Sequence, residues 1–144
     1  MERPIAVCRS RATGLEEVNV KFAKIVFWIA VVWGFLVLTP LLFLFDKIGV
    51  QDPPAITHPG FYYGFVTVGL AFQTVFIVIA RDPVRMRPMM IPAVIEKFSY
   101  AIAVVVLYLQ ARMKAPDLVF AGTDGVLGVL FVVAWAKTKA APTR

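Results

Sequence analysis

The chain has 144 residues, is 60% hydrophobic and has a mean hydropathy of +0.78, too little polar surface to coat a water-soluble globule of this size. Its single cysteine, Cys8, excludes an intrachain disulfide, a Cys-x-x-Cys redox pair and a cysteine-built metal site. The net charge of +6 is distributed in a way that fits a membrane rather than nucleic acid, as the order of the elements makes plain.

Residues 1–20 mix charges with isolated apolar positions, and Gly14 with the Glu16, Glu17 pair leaves two readings open, a membrane-surface helix or a disordered cytoplasmic segment. Four apolar runs of about twenty residues then follow, at 25–45, 61–80, 89–109 and 118–136, inside a transmembrane domain of 21–139. At about 1.5 Å of rise per residue, each run as a helix reaches roughly 30 Å, the thickness of a bilayer's hydrocarbon core. The first run is too long for a cleaved signal peptide, has no small-residue cleavage site, and lies behind the polar segment. Pro40, in its outer third, removes the N–H that would bond the Leu36 carbonyl, so a bend is expected there.

The loop 46–60 carries Pro53, Pro54, Pro59 and the lone histidine, His58. The other two connections are about eight residues each, which predicts that the second and third spans, and the third and fourth, are antiparallel neighbours. Eleven Lys/Arg fall at the two termini and between the second and third spans, against three (Lys47, Arg112, Lys114) on the opposite side. The positive-inside rule then gives an all-α, up-down-up-down four-helix bundle with both termini cytoplasmic, ending in a short tail at 140–144. Tyr62, Tyr63 and Tyr108 at the outer boundary and Trp28 and Trp135 at the inner one agree with that registry. No internal repeat of an inverted-repeat transporter is present.

Function, if any is legible, lies in the polar side chains inside the spans. Asp124 is six residues in from Leu118, Thr67 six in from Phe61 and Thr39 six in from Phe45, which sets all three at one outer level. A carboxylate there costs about 2.5–3.5 kcal/mol on insertion scales, so Asp124 is expected to face the interior, as interhelical glue or as a proton, cation or ligand site. The stripe Ala121, Gly125, Gly128, and Gly60 with Gly64, reads as close helix packing, with a cofactor slot as the minor alternative. At an inner level, Gln73 and Glu96 are each seven residues from a span end and are placed to hydrogen-bond. Trp33 is positioned to donate its indole N–H to Glu96, while Lys97, about 100° around the helix from Glu96, is expected to snorkel to the headgroups.

Arg81, Arg85 and Arg87 lie beside the headgroups and are candidates for lipid or partner contact, with Asp82 and Pro83 setting the hairpin. His58, alone in a loop, is a weak candidate ligand; no metal site, cofactor or catalytic residue is predicted. The stretch RDPVRMRPMMIPAVIEK (81–97), with Asp124, Gly125 and the closing WAKT (135–138), resembles an uncharacterised group of small bacterial four-helix inner-membrane proteins. The resemblance covers roughly residues 60–140 and implies a bacterial inner-membrane bundle without assigning an activity. The expected partners are the bilayer and a homo-oligomer or larger membrane complex, with no nucleic acid. The expected function is non-catalytic binding, as an accessory or assembly subunit or a carrier of a hydrophobic ligand or lipid. The alternative is a small proton-coupled transporter or membrane enzyme using Glu96 and Asp124, which the residue count places about 10 Å apart in opposite leaflets.

Overall fold

A computed structural model describes residues 4–51 and 55–139, with side chains from residue 14 onward. Pro53, Pro54, the 140–144 tail and the side chains of residues 4–13, Cys8 among them, lie outside the described residues. The described residues are all-helical, without strands: α1 Pro4–Leu41, α2 Phe45–Gln51, α3 Pro59–Arg81, α4 Met90–Leu109 and α5 Leu118–Lys137, with single 3-10 turns at Arg87–Met89 and Ala115–Asp117. Four of these helices are long and apolar enough to cross a membrane: Gly14–Leu41, Pro59–Arg81, Arg87–Leu109 and Ala115–Lys137.

The spans are apolar on their outer as well as their inner faces, and small residues share the inner face with a few large rings. On α1 the buried positions are Ala23, Val26, Phe27, Ala30, Val31 and Gly34, while Ile25, Ile29, Val32 and Leu36 stand exposed at helical spacing. A helix of this kind is stable only where apolar surroundings cover its outer face. Small inward residues let backbones approach, and α1 uses Gly34 in this way. A Cβ there would overlap the Gln73 carboxamide of α3, and a Cβ on Gly69 of α3 would meet Leu38 Cδ1 at 2.8 Å. On α5, Gly128 faces the ring of Phe98 at 3.1 Å from where its Cβ would stand.

These contacts set the order of the bundle. α1 packs on α3 and α5, and α5 packs on α4, whereas α3 and α4 touch only sparsely. Of the two neighbour pairs expected from short loops, α4 with α5 packs closely and α3 with α4 does not. No glycine on either helix opens toward the other, and the rings of Phe65 and Tyr100, stacked at 5.9 Å, stand between them.

The core fills the half of the bundle nearest Arg87. Phe27 and Phe131 stack at 4.1 Å, Phe76 meets Phe131 edge-on at 5.2 Å, and Ile79, Met90, Ala93 and Ala134 pack around them. At that end Arg87 closes the last helix: its Nε donates to the carbonyls of Thr138 (2.6 Å) and Trp135 (3.2 Å), and its guanidinium lies 4.3 Å from the Trp135 ring centroid. The terminal carbonyls of α5 are thereby satisfied by a cation, as a helix C-terminus favours.

At the other end α1 stops at Leu41, one residue past Pro40, instead of bending and continuing to Phe45. With no N–H on Pro40, the chain turns through Phe43 N to Pro40 O (3.0 Å), and Tyr62 of α3 donates its hydroxyl to the Leu41 carbonyl (2.8 Å). Phe45 begins α2 and stacks on Tyr63 at 5.6 Å. At the N-terminal side, α1 is one uninterrupted helix from Pro4, neither a separate surface helix nor a coil, and Lys139 pairs with Glu16 on its surface. The turn after α3 forms as expected, with Arg85 N–H donating to Asp82 Oδ1 (3.1 Å).

Candidate functional site

Just above the phenylalanine cluster, the polar side chains of α4 and α5 meet in one ion group. Lys97 Nζ donates to Asp124 Oδ1 (3.1 Å) and Oδ2 (3.2 Å), and lies 3.5 Å from Glu96 Oε1 and 3.4 Å from Oε2. The side chains are 7% exposed for Lys97, 13% for Asp124 and 22% for Glu96. The snorkelling lysine of the sequence reading is therefore the centre of the site. Glu96 and Lys97 point about 100° apart, and the inward direction goes to the residue with a partner on α5. A buried ammonium without a carboxylate is far costlier than a paired one. On its apolar side Nζ lies 5.4 Å from the Phe76 ring centroid.

The two expected polar levels thus collapse into one. Counted from the same end of the bundle, Lys97 is ten residues from Arg87 and Asp124 thirteen from Lys137. Three residues amount to about 4.5 Å along antiparallel helices, within reach of a lysine stem. The other members of the expected levels go elsewhere. Thr67 is exposed and donates to the Tyr63 carbonyl of its own helix (2.7 Å), and Thr39 is exposed near the end of α1. Gln73, 1% exposed, bonds its own helix, Nε2 to Gly69 O at 3.0 Å, and not Glu96. No indole bond from Trp33 reaches Glu96, whose Oε2 has no hydrogen-bond partner among the described residues.

Beside the ion group lies a partly open cavity of about 350 Å³ lined by α1, α3, α4 and α5. Its apolar wall comprises Val37, Leu38, Leu41, Phe65 and Phe120. Gly34 and Gly69 form its thin side, and Trp33, Gln73, Glu96, Lys97, Tyr100 and Asp124 supply the polar atoms. This volume and this mixture, largely apolar with a few convergent polar groups, are those of small-molecule sites. Two of the lining residues carry a buried acceptor without a hydrogen-bond partner, Gln73 at Oε1 and Glu96 at Oε2, the latter 3.4 Å from the Lys97 ammonium. The bond from Nε2 to Gly69 O fixes which end of the Gln73 amide is the oxygen.

The remaining candidates lie away from the cavity. His58 is exposed at the start of α3, its Nδ1 2.8 Å from Thr57 Oγ1. Arg81 and Arg85 are exposed, while Arg87 is occupied by the end of α5. Of the small residues singled out in the sequence, Ala121 and Gly128 are buried, whereas Gly60, Gly64 and Gly125 face open space. Among the described residues no group of three His, Cys, Asp or Glu side chains converges as metal ligands would. Sequence reasoning passed over Gly34 and Gly69, although a lone glycine in an apolar helical run marks a close approach. Comparison with known proteins found no matching family, no similar curated protein and no similar solved structure.

Proposed function

We propose that this chain is a multi-pass protein of the bacterial inner membrane that works by binding, holding a small hydrophobic ligand between its helices. The observation that carries the reading is the cavity of about 350 Å³ with its polar atoms gathered beside the Lys97 ion group. A cavity of that size in a helix bundle loses packing contacts along its walls, a cost that an occupant returns. The up-down-up-down arrangement with both termini cytoplasmic rests on the eleven-to-three division of Lys/Arg, and the bacterial origin on the resemblance of residues 81–97. The cavity favours a carrier over an accessory or assembly subunit, which needs only an outer surface.

Extraction in mild detergent, followed by mass spectrometry of the small molecules that accompany the protein, tests the reading. Wild type is expected to retain a hydrophobic compound that Val37→Trp, which fills the cavity, releases. Equal retention by both proteins would count against it. A periplasm-active reporter fused after Arg144 is expected to stay silent.

A second reading is favoured by the ion group itself. With Glu96 and Asp124 joined through Lys97, the apolar gap that separated them in the sequence count no longer stands against a proton-coupled transporter. Liposomes with a trapped pH dye discriminate the two: a transporter moves protons on ligand addition and loses this with Asp124→Asn, whereas a binding protein moves none.

A further inference from the structure

We propose that the polar end of the ligand is a protonated amine, held by Glu96 Oε2 and Gln73 Oε1, so that the cavity selects small aryl-alkyl amines over the matching alcohols and acids. This rests on reading the cavity as a ligand site and names the chemistry of its ligand. Three features lead to it. Two of the lining residues, Gln73 and Glu96, each bury one atom without a hydrogen-bond partner, both atoms are acceptors, and a buried acceptor calls for a donor. Gln73 is 1% exposed, so bulk water does not satisfy its oxygen. An ammonium brings three donors, enough for both acceptors at once, whereas a hydroxyl brings one and a carboxylate none.

Charge points the same way. One ammonium, Lys97, faces two carboxylates, and its two shorter bonds go to Asp124, leaving Glu96 the less compensated. With both carboxyls ionised the group is one positive charge short of neutral, and a ligand cation at Glu96 completes it. An acid would add a third carboxylate to a site with one cation, which a low-dielectric setting penalises heavily. Trp33 and Tyr100 line the same cavity, and aromatic faces attract cations. Val37, Leu38, Phe65 and Phe120 suit an aryl or short alkyl body.

The test is calorimetric titration of the full chain in nanodiscs, against empty nanodiscs, with phenylbutylamine, phenylbutanol and phenylbutyrate. The amine is expected to bind at least tenfold tighter than the alcohol, with the acid weakest. Glu96→Gln is expected to abolish that tenfold preference, with helical circular dichroism in the same nanodiscs reporting a folded bundle. Gln73→Met, which keeps length and removes the acceptor, is expected to weaken the amine severalfold and to narrow its preference over the alcohol. Should wild type bind all three alike, or should both variants keep the preference, the amine inference is overturned while the cavity stands as an apolar ligand site. If wild type shows no saturable binding of any probe, or Val37→Trp binds as wild type does, the cavity reading itself falls and the amine inference with it.

Discussion

Lys97 of α4 and Asp124 of α5 form a buried ion pair in which one ammonium faces both oxygens of one carboxylate, at 3.1 and 3.2 Å. It joins two helices that are consecutive in the chain and closely packed along their length. Removing Lys97 alone leaves two carboxyls without their cation, whereas removing Lys97 and Asp124 together leaves only the more exposed Glu96 so. Lys97→Met is therefore expected to destabilise the protein by about 3 kcal/mol. The double variant Lys97→Met with Asp124→Leu is expected to recover at least half of that. Thermal unfolding in detergent, run as a double-mutant cycle, reads the difference, and equal losses from the single and double variants would refute the pairing.

Gly34 and Gln73 predict a second, purely steric coupling. A methyl group on Gly34 occupies the space of the Gln73 carboxamide, which must then swing away and give up its bond to Gly69 O. Gly34→Ala is expected to cost about 1–3 kcal/mol, the range for overpacking. Adding Gln73→Ala should relieve most of it. Gly64→Ala and Gly122→Ala face open space and are expected to be neutral or slightly stabilising, since alanine is the better helix former. The same unfolding assay ranks the four, and a harmful Gly64→Ala would show that the outer face is covered by something else.

The three arginines between the end of α3 and the start of α4 should not behave alike. Arg87→Ala removes a donor to two carbonyls and a stacked cation from the end of α5, for an expected loss of about 2 kcal/mol. Arg87→Lys should restore little of it, because an ammonium cannot reproduce the planar stack. Arg81→Ala and Arg85→Ala, on exposed side chains, should stay within about 0.5 kcal/mol of wild type. Hydrogen exchange of the residues from Trp135 to Thr138 locates the effect, which should be confined to the Arg87 variants.

Ala111 closes α4 in the left-handed region, with φ at 56°. Its N–H bonds Tyr108 O and that of Arg112 bonds Leu107 O, both at 2.9 Å, the paired bonds of a helix end normally built on glycine. Ala111→Gly is expected to stabilise the protein by about 1 kcal/mol, because the Cβ that disfavours this conformation is removed. A lower unfolding midpoint for the glycine variant would contradict the turn geometry.

The apolar runs declared four long helices without help from any neighbour. Length and hydrophobicity are properties of a segment by itself, and a helix satisfies its own backbone wherever water is absent. Glu96, Asp124, Gln73 and Trp33 were legible as candidates for a similar reason, since a polar group in an apolar run is costly wherever it points. Their partners were not legible. Counting residues from opposite span ends set Glu96 and Asp124 apart when Lys97 joins them. Thr39 and Thr67, at the right depth, turned out to face outward, because depth along a helix says nothing of direction around it. That direction is chosen between helices. Gly34 against Gln73, Gly69 against Leu38 and Gly128 against Phe98 rotate each helix into its neighbours, and the rotation decides that Lys97 turns inward and that a cavity remains beside it.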